Sequence, residues 1–307
     1  MTITNRQSGY LINLIRQAAA SLFPGYFAVV MATGATSIAA SLLGYRLLAI
    51  LLLGSEFQLL LGWSGVAAAF WWLGVVLWSV IMYLFFIAVT TRRHKPTMDS
   101  GINGTWLLAA VSTQSVAILT ALVPWTGPED LRLFFALCMF MVGCMLYLAI
   151  ITLIFYRLTF LRLSAETLSP PYWINMGAVA ITTLAGSTLI IRGQEGSLLA
   201  DFLPFLRGFT LFFWSIASWW IPLLIGLTFW RHVIQRHRLN YEPQLWSVVF
   251  PLAMYTTGTV RLVDALDTGF LMVIPATTLW LALIAWGATS LGMWRHFANV
   301  VREVGPS

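Results

Sequence analysis

Charged side chains are scarce in this sequence: Asp, Glu, Lys and Arg make up 9% of its 307 residues. A soluble globular domain carries about 25% charged residues, so this composition excludes one. The few charges are unbalanced, with 17 basic and 11 acidic residues and a formal net charge of +6. A basic excess can indicate nucleic acid binding, but here the cations lie at the ends of apolar runs. There they meet anionic lipid headgroups, so we expect the bilayer as partner and no nucleic acid.

Cysteine and histidine are equally scarce. Cys138 and Cys144 lie six residues apart on one apolar run, where they do not share a helical face and form no obvious disulfide. The four histidines lie at the ends of such runs, and no metal-ligand spacing of the HExxH or CxxC kind occurs. We therefore expect no metal site, no cofactor and no enzymatic chemistry.

Long apolar runs, in contrast, are abundant. A helix needs about 20 mostly apolar residues to cross the hydrocarbon core of a bilayer. Eight runs meet this length, at 22–43, 66–90, 104–123, 131–156, 173–191, 203–230, 245–263 and 270–294. The sequence therefore predicts an all-α polytopic membrane protein with about eight spans and a single transmembrane domain over 1–307. Within it we expect a cytoplasmic segment at 1–21, a helical bundle at 22–295 and a cytoplasmic tail at 296–307.

The loops between these runs alternate in charge. Lys and Arg concentrate before the first span, in the even-numbered loops and in the tail, whereas the odd-numbered loops hold most of the acids. Because Lys and Arg favour the cytoplasmic side, we predict a multi-pass protein of the cell membrane, namely the inner membrane of a bacterium, with both termini cytoplasmic. Residues 45–62 could form a ninth span, but a ninth span would invert this alternation. We interpret them as a non-spanning excursion on the outer face.

Polar residues collect on the odd-numbered spans, whereas the even-numbered spans are crowded with Trp, Phe, Leu and Ile. Hydroxyls and amides are costly in hydrocarbon unless they find partners or water. This favours odd helices inside, lining a translocation path, and even helices outside, with the tryptophans of spans two and six facing lipid or a partner subunit. The predicted pore-lining residues are Thr33, Gly34, Thr36, Ser112, Thr113, Gln114, Asn175, Thr182, Thr183, Pro251, Thr256 and Thr257. The alternative is that these residues serve helix packing, since Ser and Thr also bond to their own backbone.

Cations also occur at the predicted outer mouth. Arg192, Arg207 and Arg261 could raise the local concentration of anions there. The alternative is that each side chain extends to lipid headgroups. Asp264, three residues after Arg261, could neutralise it.

Three segments carry a family resemblance: FPGYFAVVMATGATSIA (23–39), SPPYWINMGAVAITTLAGSTLI (169–190) and YEPQLWSVVFPLAMYTTGTVRL (241–262). In their order and their placement on odd spans they resemble the tellurite-resistance/C4-dicarboxylate transporter family, which includes the slow-type anion channels of plants. The resemblance implies helical hairpins around a central pore, usually as a homotrimer, and flux of small anions or dicarboxylates. It also implies that Phe250 is the phenylalanine that gates the pore. The usual family pattern has ten helices, against the eight counted here.

Three functions are consistent with these observations. Anion transport is the first: a channel-like pathway is favoured because no ionisable relay lies at mid-depth, and a proton-coupled carrier of dicarboxylate or sulfite is the alternative within the same family. A membrane enzyme acting on lipid-like substrates is the second, with the basic cluster at 231–238 as its one candidate site. The third is an accessory or sensor protein without transport. The sequence does not choose the anion.

Overall fold

The computed structural model describes residues 64–123, 127–193 and 198–304, together with positions 32, 33, 35, 36, 39 and 42–44. Within the three long ranges the chain forms α-helices and no strand. The helices are α1 Ser64–Thr91, α2 Met98–Gly101, α3 Leu108–Leu122, α4 Glu129–Phe160, α5 Ile174–Gly193, α6 Leu203–Phe229, α7 Trp246–Leu266 and α8 Val273–Val304. The predicted all-α class is confirmed.

Seven of the predicted spans correspond to helices α1 and α3 to α8. Six helical stretches of the described ranges are long and apolar enough to cross a membrane. Helix α7 has 21 residues but falls short of the others in apolar character. The described positions 32–42 of the first predicted span are helical. The predicted excursion at 45–62, the segment 1–21 and Gly34 lie outside the described residues.

The bundle has an inner and an outer layer. Every residue of α5 except Ile191 and Arg192 is buried, and α7 is buried over most of its length. Among positions 68–91 of α1, only Trp71 is buried, and α8 is also largely exposed. Lipid tails solvate apolar side chains as well as a protein interior does, so a strongly apolar helix such as α1 can lie on the outside. The expected order matches these helices. The odd-numbered spans α3, α5 and α7 lie inside and the even-numbered spans α1, α6 and α8 lie outside, with α4 in between.

Glycines allow α5 and α7 to pack closely. A Cβ atom on Gly258 would lie 2.7 Å from the carbonyl oxygen of Ala180, and one on Gly177 would lie 2.8 Å from Cγ of Pro251. Both distances are shorter than van der Waals contact. Small residues at such points let helix backbones approach, which is the main source of helix association in membranes.

Hydrogen bonds from tryptophan to threonine join the outer layer to the inner one. Four indole N–H groups of outer helices donate to hydroxyls of inner ones: Trp71 to Thr120 (2.9 Å), Trp78 to Thr113 (3.0 Å), Trp214 to Thr259 (3.0 Å) and Trp286 to Thr33 (3.1 Å). Three of these threonines also donate to the carbonyl four residues earlier. The polar end of each indole is thereby satisfied inside the bundle while the apolar ring packs between helices.

This arrangement corrects the expectation that the tryptophans of α1 and α6 face outward. Trp72 and Trp219 are exposed, as predicted. Trp71, Trp78 and Trp214 instead turn inward, and Trp220 is fully buried with its indole donating to the hydroxyl of Tyr147 at 3.1 Å. An indole N–H facing hydrocarbon would lack an acceptor, which favours the inward orientation.

Candidate functional site

One face of the bundle collects the basic ends of the helices. Helices α1, α4, α6 and α8 end there and α3, α5 and α7 begin there. We call it the basic face because most cations of the described residues lie on it: Arg92, Arg93, Lys95, Arg157, Arg162, Arg231, Arg236, Arg238, Arg295 and Arg302.

Each of the three inner helices begins on the basic face with a single turn of 3₁₀ helix. These turns are Gly104–Leu107 before α3, Pro170–Trp173 before α5 and Pro243–Leu245 before α7. Proline suits such starts because it lacks the N–H that would be unpaired and its φ is already helical. The first two turns touch: a Cβ on Gly104 would lie 1.9 Å from the carbonyl oxygen of Pro171. Only glycine fits there without a shift of the chain.

The residues immediately before the three turns, Asn103, Ser169 and Glu242, line one cavity of about 620 Å³. We call this cavity the vestibule. The amino end of a helix carries a partial positive charge, and three such ends converge here. The three helix dipoles therefore add a positive potential to the vestibule but few N–H donors, because Pro170, Pro171 and Pro243 have none and Asn103 already accepts from the N–H of Thr105.

Two buried arginines add full charges to the vestibule. Arg157, near the end of α4, donates to the carbonyl oxygen of Ile102, and its guanidinium lies 5.9 Å from the ring centroid of Tyr172. Arg231, in the π-helical turn Trp230–Ile234 that ends α6, is 7% exposed. Its Nε has no hydrogen-bond partner within the described part of the chain. A buried guanidinium with an unused donor can bind an anion or a water.

Three exposed carboxylates, Asp99, Glu166 and Glu242, also border the vestibule. A backbone hydrogen bond of its own residue, with help from the Ser164 hydroxyl and from His237 and Arg231, holds the pKa of the Glu166 carboxyl below its usual range. Glu166 is therefore ionised at neutral pH. The mouth of the vestibule is acidic, and its buried wall is basic.

Several predicted pore-lining hydroxyls bond to their own helix. Thr36 donates to Ala32, Ser112 to Ala109, Thr182 to Ala178 and Thr183 to Val179, over 2.7 to 3.0 Å. Each hydroxyl still has a free lone-pair direction, but its proton is used within the helix. This is the packing alternative that the sequence left open.

Four other predicted pore-lining residues have partners on outer or intermediate helices. Thr33 and Thr113 accept from Trp286 and Trp78, Thr256 bonds to Thr278 of α8 at 2.8 Å, and Gln114 donates to the carbonyl of Phe140 on α4 at 3.1 Å. These four side chains bond to helices around the inner ones rather than lying along a shared axis as predicted. A polar residue on an inner helix also serves the contact with the layer outside it.

The remaining predicted residues lie among the inner helices. The Thr257 hydroxyl donates to the carbonyl of Ala253 at 3.0 Å and lies 3.4 Å from that of Ala35, and Pro251 packs on Gly177. Asn175 is fully buried, and both atoms of its amide lack a partner among the described residues. Phe250 is buried, 5% exposed, one turn into α7. These side chains lie around the first halves of α5 and α7. Among the described residues they make no hydrogen bond to an outer helix, so they are the part of the predicted path that remains.

The arginines of the predicted mouth lie on the opposite face. Arg207 is exposed and Arg192 is partly buried. Arg261 lies 3.7 Å from Asp264, as the spacing suggested.

The vestibule arginines were missed from sequence. In the sequence, Arg157 and Arg231 look like ordinary cations at helix ends. Nothing in their spacing indicates that their side chains are buried in the folded protein. The available signal was the turn residue before each polar span, namely Gly104, Pro170 and Pro243. Three polar helices starting on one face predict three converging dipoles.

Comparison with known proteins agrees with this architecture. Residues 41–294 match the model of the voltage-dependent anion channel family. The chain belongs to this family. The resemblance to the tellurite-resistance/C4-dicarboxylate transporters and the plant anion channels is thereby confirmed, and the family supports transport of anions across a membrane.

Relatives cover between half and three quarters of the chain. An uncharacterized membrane protein of Mycobacterium tuberculosis is 38% identical over 162 residues, which cover 53% of this chain and 82% of the relative. Two uncharacterized transporters of Methanocaldococcus jannaschii are 24% and 25% identical; their alignments cover 74% and 69% of this chain, and 63% and 60% of the relatives. No solved structure matches the chain.

Proposed function

We propose that this member of the family is a channel for small anions, which gather in the vestibule and cross the membrane along α5 and α7. The observation that carries the proposal is the convergence of three inner-helix amino ends and two buried arginines on one cavity. The names of the Methanocaldococcus relatives as transporters agree with it, and together with the family they point to transport rather than to enzymatic chemistry.

The charges of the vestibule suit passage rather than tight binding. Two arginines and three carboxylates leave a formal charge of −1, and three helix ends contribute about +0.5 each, or about +1.5 in total. The carboxylates are exposed and screened by water and salt, whereas the arginines are buried, where their field is stronger. An anion is therefore attracted inward but is not trapped by a large excess of fixed charge.

Phe250 is the proposed constriction beyond the vestibule. It lies four residues from the start of α7, or about 6 Å along the helix axis. Pro251 follows it and removes one backbone hydrogen bond, which favours a local bend. A bulky apolar ring at such a point closes a narrow path by its volume and by excluding water.

The inner helices favour a channel over a coupled carrier. Helix α3 has no charged residue, α5 has none before Arg192, and α7 has none before Arg261. A proton-coupled carrier needs ionisable groups at mid-depth. We further propose a homo-oligomer, as the family resemblance implies, with the basic face in the cytoplasm of a bacterial cell.

Anion efflux from liposomes tests the proposal. Purified protein is reconstituted into vesicles loaded with chloride, nitrate or succinate, and efflux is recorded with and without valinomycin to compensate charge. A channel gives electrogenic efflux that depends on the potassium ionophore, whereas protein-free vesicles give none. Protein that is well folded but releases none of these anions would contradict transport.

A pair of matched arginine variants tests the vestibule separately. Arg231→Gln removes the buried charge, and Arg238→Gln removes an exposed one from the same connection between α6 and α7. We expect the first to lower efflux at least tenfold, because a desolvated charge is worth more than a screened one. Gel filtration and thermal melting check that both variants fold. Equal efflux from both variants would refute a role for the vestibule.

A further inference from the structure

A second cavity of about 740 Å³ lies beside the vestibule on the basic face, between the ends of α6 and α8 and over the start of α7. Its lining comes from the end of α6, from α8, from the 3₁₀ turn before α5, from the connection before α7 and from the first turn of α7. Most of its lining is apolar, with Leu224 and Leu227 from α6, Val233 from the π-helical turn after it, Val248 from α7, and Ala285 and Leu291 from α8. The vestibule, in contrast, is lined almost wholly by polar and charged residues.

One end of this cavity is polar and basic. Arg231, His232 and Arg295 line it, and no Asp or Glu occurs among the residues that the structure places around it. Two buried polar atoms there, Nε of Arg231 and the hydroxyl of Tyr241, lack hydrogen-bond partners in the described part of the chain. Arg231 is 7% exposed. Buried polar groups of this kind are normally satisfied, so they point to a ligand that carries acceptor oxygens.

The surroundings of the cavity are lipid-facing. Phe229, Leu239 and Leu291 at its rim are more than half exposed, as are Ile234 and Trp294, which are adjacent in sequence to lining residues. The basic residues occur at the level where the helices leave the membrane, which is where phosphate groups of lipids lie. An amphipathic molecule with an anionic head and an apolar tail fits both parts of the cavity, whereas a free inorganic anion fits only the basic end.

We propose that this cavity binds one anionic phospholipid, with its phosphate at Arg231 and Arg295 and an acyl chain along the apolar walls of α6 and α8. Arg231 also lines the vestibule. The lipid phosphate and the permeating anion therefore compete for the same guanidinium, and the lipid composition of the membrane sets how strongly the vestibule attracts anions. This last step depends on the proposed function; the lipid site itself does not.

Native mass spectrometry of the purified protein tests the site without any flux measurement. The protein is titrated with phosphatidylglycerol or phosphatidylcholine, and retained lipid is counted. Arg295→Gln removes a head contact, with Arg302→Gln of the same helix as control. Ala288→Trp fills the cavity, with Ala276→Trp at an exposed position near the start of α8 as control. Inorganic phosphate is added as a competitor.

We expect one phosphatidylglycerol to be retained at least tenfold more strongly than phosphatidylcholine. Arg295→Gln should weaken its retention about fivefold, Ala288→Trp should abolish it, and both controls should leave it unchanged. The proposal would be overturned if the two lipids were retained equally, or if neither Arg295→Gln nor Ala288→Trp changed the retention of phosphatidylglycerol. Displacement by inorganic phosphate at equal concentration, which would indicate a free-anion site, would also overturn it, as would a change of oligomeric state in Ala288→Trp, which would indicate a second copy in the cavity.

Discussion

Phe250 is the residue at which gating and packing make opposite predictions. If its ring closes a path, Phe250→Ala raises anion conductance and costs little stability. If its ring is part of the core, the same change lowers the free energy of unfolding by about 3–5 kcal/mol and does not raise the conductance. We expect the first outcome. Planar-bilayer currents for the wild type and the variant measure it.

A packing phenylalanine provides the control for that experiment. Phe213 on α6 is fully buried against Tyr147 and Phe209, so Phe213→Ala should lose stability without a gain of current. Unchanged or smaller currents from a well-folded Phe250→Ala protein would exclude the gate.

Glu166 tests the acidic mouth of the vestibule. Because the pKa of its carboxyl is held below the usual value of about 4.3, its charge is constant above pH 5 and is lost only as the pH falls through that lowered pKa. Glu166→Gln should therefore raise anion conductance roughly two- to fivefold at low ionic strength, by the same factor at pH 5.5 and pH 8. Asp201→Asn on the opposite face serves as control. If the gain in conductance disappeared at pH 5.5, a group other than Glu166 would be responsible for it.

The residue scale is also where the sequence was least informative. Composition identified the helices that hold Thr113, Gln114 and Thr256, but it did not tell which side of each helix these residues occupy. Their partners are Trp78, the carbonyl of Phe140 and Thr278, which lie far away along the chain. The rotation of a helix in a bundle depends on such contacts, and a single sequence does not contain them.

At the scale of elements, the bonds between tryptophan and threonine give a measurable prediction. Trp78→Phe and Thr113→Val each remove one partner of a bond between α1 and α3. The double-mutant cycle should give a coupling of about 0.6 kcal/mol, the average for hydrogen bonds between membrane helices. The free energy of unfolding in mixed micelles measures it, and Trp294→Phe on the exposed face of α8 should show no coupling to Thr113→Val. A coupling of zero for Trp78 would mean that the bond does not stabilise the bundle.

Elements were largely predictable from the sequence. The length of the hydrocarbon core fixes the length of a span, so seven of the eight predicted runs match observed helices. The polar content of 173–191 and 245–263 also predicted that α5 and α7 are inside. The vestibule was not predictable in the same way, since Asn103, Ser169 and Glu242 are brought together only when three helix starts meet.

At the scale of the whole molecule, the charge asymmetry predicts the orientation in the membrane. In a background with Cys138 and Cys144 changed to Ser, Leu239→Cys reports the basic face and Phe270→Cys the opposite one; both positions are exposed. We expect an impermeant maleimide to label Phe270→Cys on intact cells and Leu239→Cys only after the cells are opened. If Leu239→Cys were labelled on intact cells and Phe270→Cys only after the cells are opened, the orientation would be the opposite one and the vestibule would face outward.

The polar composition of α7 has a consequence for biosynthesis. The helix is long enough to span but is less apolar than its neighbours, and Arg261 and Asp264 near its end add to the cost of transfer into lipid. We therefore expect the translocon to release α7 poorly when the nascent chain ends there. It should enter the bilayer as a pair with α8, whose apolar surface covers it, so insertion of α8 decides whether Phe250 reaches the membrane interior at all.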